Sequence, residues 1–160
     1  MTRIELSTRI RAPRERCFDL ARSVELHTES TASTGETAVA GRTRGLLGAG
    51  DEVTWRARHF GVWQTLTSRI TAYERPAFFR DSMVRRAFAR LEHDHRFADD
   101  GAGGTIMDDV FEFAAPGGVA GRLVERLVLR RHLWRLLVAR NAAIKTAAES
   151  DAWRRYVPPA

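Results

Sequence analysis

Hydrophobic and polar positions alternate over much of the chain before Pro116 and recur every three or four residues after it. Alternation marks half-buried strands, and the longer period marks an amphipathic helix. The helical stretch runs from Gly117 to Ala148. It follows the turn-forming Pro116-Gly117-Gly118, holds no Pro, and is dominated by Ala, Leu, Arg and Glu. Leu123, Leu127, Trp134, Leu137, Ile144 and Ala148 are expected on its inner face, widened by Leu129, Leu133, Leu136 and Val138. Arg122, Arg126, Arg130, Arg131, Arg135, Arg140 and Lys145 are expected on the solvent side. Such a helix would be roughly 45 Å long. An apolar face that wide needs a sheet laid across it.

The preceding residues read as that sheet. Arg3 to Arg11 alternates, with Ile4, Leu6, Thr8 and Ile10 on one side. Pro13 then suits the start of a helix carrying Cys17, Phe18, Leu20 and Ala21, and Ser23 can cap a second short helix to about Ser30. Further strands are predicted at residues 37–40, 51–60, 62–73, 78–84, 90–98 and 105–113, separated by Gly, Asp and Pro turns. Consecutive strands without helical crossovers should pair as an antiparallel meander. The class is therefore α+β, with residues 1–150 as one domain and residues 151–160 as a C-terminal tail. A bent sheet wrapped on one helix leaves a natural place for a cavity.

Composition narrows the chemistry. The chain has 160 residues, 44% of them hydrophobic, enough for one real core. The single Cys17 excludes an internal disulfide framework and a multi-thiolate zinc site. No stretch reads as a membrane span or signal-peptide core, so a cytoplasmic protein is expected. The net charge is +6, yet no nucleic-acid-binding signature accompanies it. The basic helix face is expected to be a solvated surface, with weak contact to an anionic membrane as the alternative.

Leu91, His93, His95 and Phe97 share one strand parity, which should turn both histidines inward. Trp55 and His59 share a parity on another strand. Asp81 and Asp109 are the acidic residues that could fix a histidine tautomer, while Asp108 and Asp109 must point oppositely. The acid–base candidates are thus His93, His95, His59, Asp81 and Asp109. The His-x-His pair has a spacing compatible with metal ligation, but no third ligand is secure, and neither metal nor cofactor is expected. No phosphate loop, dinucleotide fingerprint or nucleophile elbow is present.

The stretch from Gly50 through Asp51, Val53, Thr54, Trp55, Arg56 and His59 to Gly61 resembles the signature of small bacterial SRPBCC proteins. That superfamily is also called START-like, or the polyketide cyclase/dehydrase and lipid-transport superfamily. The resemblance continues through Ile70-Thr71, Pro76, Phe79 to Met83, Phe88, His93, His95, Phe97, Gly104 to Asp109 and Pro116 to Gly118. It implies the helix-grip fold: a curved seven-stranded antiparallel sheet gripping the C-terminal helix around a hydrophobic cavity, with two short helices after the first strand. The family often has Gly where this chain has Ala87 after Arg85-Arg86, which implies a stiffer, more basic loop.

The expected function is binding of a small hydrophobic or aromatic ligand, such as a lipid, quinone or polyketide-like molecule. The expected contacts are Trp55, His59, Phe79, Met83, Leu91, His93, His95, Phe97, Met107, Trp134 and Leu137. Two alternatives stand beside it. One is a polyketide cyclase/dehydratase-like enzyme using cavity histidines as general acid or base. The other is an interaction or stress-response module without a specific ligand. The protein is expected as a monomer or homodimer, without a specific nucleic-acid partner.

Overall fold

The computed structural model describes residues 1–85 and 88–159. Seven strands form one antiparallel sheet: β1 (Thr2–Ile10), β2 (Thr37–Gly41), β3 (Glu52–His59), β4 (Val62–Glu74), β5 (Phe78–Arg85), β6 (Arg90–Asp99) and β7 (Thr105–Ala114). Their spatial order is β1-β7-β6-β5-β4-β3-β2. Strands β2 to β7 form the predicted meander, and β1 closes its far side by pairing with β7. The loop reading at Arg86 and Ala87 lies outside the described residues.

Two short helices, α1 (Arg14–Ala21) and α2 (Val24–Ser30), separate β1 from β2. The Ser23 hydroxyl accepts a hydrogen bond from Leu26 N and satisfies one of the open donors at the start of α2. Phe18 of α1 is fully buried and meets Tyr73, Phe79 and Phe97 edge-on, with ring centroids 5.3–5.5 Å apart. Cys17 is buried in this same core. Near the C-terminus, a short turn at Asp151–Arg155 brings Tyr156 down beside Leu26, where its hydroxyl donates to Glu29.

The C-terminal helical segment has three parts: α3 (Gly118–Val124), a π turn at Glu125–Leu129, and α4 (Arg130–Ala148). Its inner side differs from the expected one. The inward seam runs through Gly121, Glu125, Leu129, Leu133 and Leu137, and continues through Arg140, Asn141 and Ile144. Leu123, Leu127 and Trp134 are instead exposed, at 60%, 68% and 47%. The wider π turn keeps every fourth residue in line and moves Leu123 and Leu127 off the seam. The buried Glu125 anchors this geometry by accepting a 2.9 Å hydrogen bond from Ala115 N. Arg140, expected at the surface, is only 6% exposed.

Candidate functional site

A cavity of about 310 Å³ lies between the concave side of the sheet and α4. Most of its wall is apolar. Trp55 and Ala57 of β3, Leu66 and Ile70 of β4, Phe79 of β5, Leu91 of β6 and Phe111 of β7 face Leu133, Leu136 and Leu137 of α4. Alternating side chains on five strands supply one side, and helical spacing supplies the other. The lining residues Phe60, Gln64, Thr65 and Pro116 are solvent-exposed, so they mark the opening.

Ser68, Asp81, His93, His95 and Arg140 form one polar part of the wall. Behind it sits Asp109, which is 1% exposed. His93 Nε2 is 2.9 Å and His95 Nδ1 is 2.7 Å from the same Asp109 Oδ1. Asn141 Nδ2 donates to Asp109 Oδ2 at 2.7 Å. Arg140 Nη1 lies 3.6 Å from Oδ1, and its Nη2 donates to Ala21 O at 2.9 Å. The guanidinium thereby ties α4 to both α1 and the sheet.

These contacts set the charge states. Burial would push the Asp109 carboxyl up, but the hydrogen bonds from both histidines outweigh it and hold it well below the usual carboxylate range. Burial pushes His95 well down, and its neighbours disfavour a further positive charge there, His93 because the two imidazoles would repel if both were protonated and Arg140 by its own charge. Burial also pushes His93 down, against the pull of Asp109. The consistent state is an ionised Asp109, a charged Arg140 and two neutral imidazoles that each donate N–H to Asp109. Those roles assign the tautomers and leave His93 Nδ1 and His95 Nε2 as acceptors.

Asp81 lies opposite His93 across the β5–β6 pair. Burial raises its pKa, opposed by Ser68 and His93, so it favours the neutral acid more than an ordinary aspartate does. Ser68 is close enough to act on Asp81, yet Ser68 Oγ and Asp81 Oδ1 are buried without a hydrogen-bond partner among the described residues. Unsatisfied buried oxygens are rare in native proteins and call for an explanation.

A second histidine pair stands at the cavity wall nearer the opening. His59 Nδ1 and His132 Nε2 are 2.9 Å apart, joining the end of β3 to α4. Burial lowers both pKa values, and a neutral pair suits this contact because one nitrogen must accept. Sequence reasoning named His59 but missed His132, whose helical position had no strand parity to reveal it.

Of the expected contacts, Trp55, His59, Phe79, Leu91, His93, His95 and Leu137 line the cavity, as does Asp81. Phe97 and Met107 are buried in the core with α1 and do not line it. Met83 packs in the satellite cluster around Phe113, and Trp134 is turned outward. Ser68, Arg140, Phe111 and Leu133 also line the wall without having been nominated as contacts.

His93, His95 and Asp109 bring one potential ligand atom each within 4.8 Å of one another, so Asp109 is the third donor that spacing left insecure. The Arg140 guanidinium already places a cation 3.6 Å from the shared carboxylate oxygen. A divalent ion there would add a second positive charge against it.

No protein-family model and no curated protein matches the chain. Solved structures do match it. The Zhui aromatase/cyclase from a Streptomyces species superposes with a TM-score of 0.72 at 18% identity, covering 96% of this chain and 94% of that one. TTHA0849 from Thermus thermophilus gives 0.71 at 18% identity, covering 92% and 99%. The di-domain ARO/CYC BexL from the BE-7585A biosynthetic pathway gives 0.68 at 16% identity, covering 93% of this chain and 50% of that one. At these identities the likeness carries the architecture alone: this chain has a helix-grip, START-like fold, a seven-stranded antiparallel sheet around a long C-terminal helical segment.

Proposed function

We propose that this protein binds a small, mainly apolar ligand with one polar edge, a flat aromatic ketone or quinone-like molecule. The observation that carries the reading is the pair of unpartnered oxygens, Ser68 Oγ and Asp81 Oδ1, at a polar part of a wall whose surface is mainly apolar. Burial of apolar ligand surface would drive binding. A carbonyl or hydroxyl on the ligand would take up the open hydrogen-bonding positions and fix its orientation. Trp55 and Phe79 supply flat surfaces for an aromatic ring.

Calorimetric titration with 2-hydroxy-1,4-naphthoquinone, and with naphthalene as its apolar counterpart, tests this. The quinone should bind more tightly than naphthalene by about tenfold or more, and Asp81→Ala with Ser68→Ala should erase that preference. Equal affinities for the two probes in the parent protein would refute a polar orienting edge.

A second reading is a cyclase/dehydratase-like enzyme. The convergence of Asp81, His93 and His95 on one wall favours it, as do the names of two structural neighbours. An enol carbon of a bound polyketone would attack a carbonyl, whose oxygen takes a proton from Asp81. The enol O–H proton would return to the Asp81 carboxylate as the ketone re-forms; His93 would then take the adjacent C–H proton while Asp81 protonates the departing hydroxyl, which leaves as water, so no oxidant is needed. Turnover of a synthetic β-polyketone to a ring product, abolished in Asp81→Asn, would establish it. Unchanged ring closure with and without the protein would leave the binding role alone.

A further inference from the structure

The outer side of the C-terminal helical segment has a composition that neither the cavity nor the fold requires. Val119, Leu123 and Leu127 are 74%, 60% and 68% exposed, and Val124 and Val128 are exposed beside them. Gly121 and Glu125 are the buried residues over this stretch. The same surface carries Arg122, Arg126, Arg130, Arg131 and Arg135, all exposed, and none in an ion pair among the described residues. Its one acidic residue, Glu125, is turned inward.

The β3–β4 turn extends the surface. Phe60 and Gly61 both have positive φ, 51° and 79°. That conformation is costly for a bulky aromatic residue, and Phe60 is 58% exposed at the cavity opening. Phe60 packs against His132 of α4, with ring centroids 4.7 Å apart. Val62, the next residue of the hairpin, is exposed as well.

We propose that this apolar and arginine-rich surface, formed by residues 118–135 and the Phe60 turn, docks the cavity opening onto an anionic lipid surface. Exposed Leu, Val and Phe side chains would enter the boundary between headgroups and acyl chains, and the arginines would pair with lipid phosphates. Charge complementarity selects this occupant. A second copy meeting the same face about a two-fold axis would set two arginine clusters against each other. Leucines protruding between the arginines suit acyl chains better than the phosphodiester backbone of a nucleic acid. No helix among the described residues is long and apolar enough to cross a membrane, so the contact is interfacial. The proposal stands apart from the cavity reading: docking and naphthoquinone binding are separate measurements, and either can fail alone.

The test is sedimentation of the full chain with vesicles of phosphatidylcholine, or of phosphatidylcholine with about one third phosphatidylglycerol. The anionic vesicles should bind at least about tenfold more tightly, and salt should weaken them. Arg126→Ser with Arg130→Ser should lower that affinity roughly twentyfold. Leu123→Ser with Leu127→Ser should lower it about tenfold or more. All these side chains are exposed, so the variants should keep the parent circular dichroism and melting temperature. No binding by the parent, equal binding to both vesicle types, or unchanged binding by either variant would overturn the proposal. So would a concentration-dependent dimer that Leu123→Ser dissolves while vesicles fail to bind, which would assign the face to a second copy.

Discussion

Arg140 Nη1 lies 3.6 Å from Asp109 Oδ1, and both side chains are buried between α4 and the sheet. The pair places one positive and one negative charge in the protein interior. Removing one partner strands the other, which costs far more than removing an exposed ion pair. Arg140→Met should therefore destabilise the protein by about 3–5 kcal/mol in urea unfolding. Arg140→Met with Asp109→Asn should cost clearly less than the sum of the two single changes. A loss below about 1 kcal/mol for Arg140→Met would mean that the pair is not buried as described.

His93 and His95 make stability depend on pH. Their folded pKa values lie below the usual histidine value, with burial the largest cause. Below about pH 6.5 the unfolded chain therefore binds more protons than the folded one, and stability falls as pH falls. The slope should reach up to about 1.4 kcal/mol per pH unit for each histidine. Asp109, whose folded pKa is depressed, adds a further loss at lower pH as it protonates. His95→Gln removes one titrating group and should flatten the upper part of that slope. A parent profile that is flat from about pH 6.5 to about pH 5 would contradict neutral buried imidazoles.

Asp81 has the opposite sign. Its folded pKa is raised by burial. The unfolded chain loses this proton at about pH 4 while the folded chain retains it to higher pH, so stability is lost as pH rises through that window. Asp81→Asn keeps the shape and removes the titration. It should raise the melting temperature at pH 7, and the gain should shrink as pH falls towards about 4 and be gone below it. A lower melting temperature for Asp81→Asn at pH 7, together with an unchanged one at low pH, would mean that Asp81 is ionised and paired in the folded protein.

The strands were legible because alternation on one buried face is a strong signal. Trp55, His93, His95 and Asp109 all take the inward parity that their neighbours imply. Phe97 and Met107 share that parity but lie toward the end of the sheet covered by α1, so they join the core instead of the cavity. Parity gives the face of a sheet and not the distance along it. The helix was harder. A 3.6-residue period placed Arg140 with the surface arginines and Leu123 and Leu127 inside. The π turn at Glu125–Leu129 changes the phase, and the interior charge of Asp109 requires a cation where hydrophobicity alone predicts none. Ser68 carried no signal, because a small hydroxyl residue in a strand reads as filler until its oxygen is found buried without a partner.

The central claim is that the space between the sheet and α4 takes a ligand, and filling that space tests it most directly. Leu133 is partly buried at the cavity wall on α4. Leu133→Trp would place an indole where the ligand should sit. Calorimetric titration of parent and variant with 2-hydroxy-1,4-naphthoquinone is the decisive comparison. The parent should bind with a negative heat-capacity change, the mark of apolar burial. The variant should keep a cooperative unfolding transition and lose affinity by about tenfold or more. Equal affinity in a folded Leu133→Trp protein would place the ligand elsewhere and contradict the account.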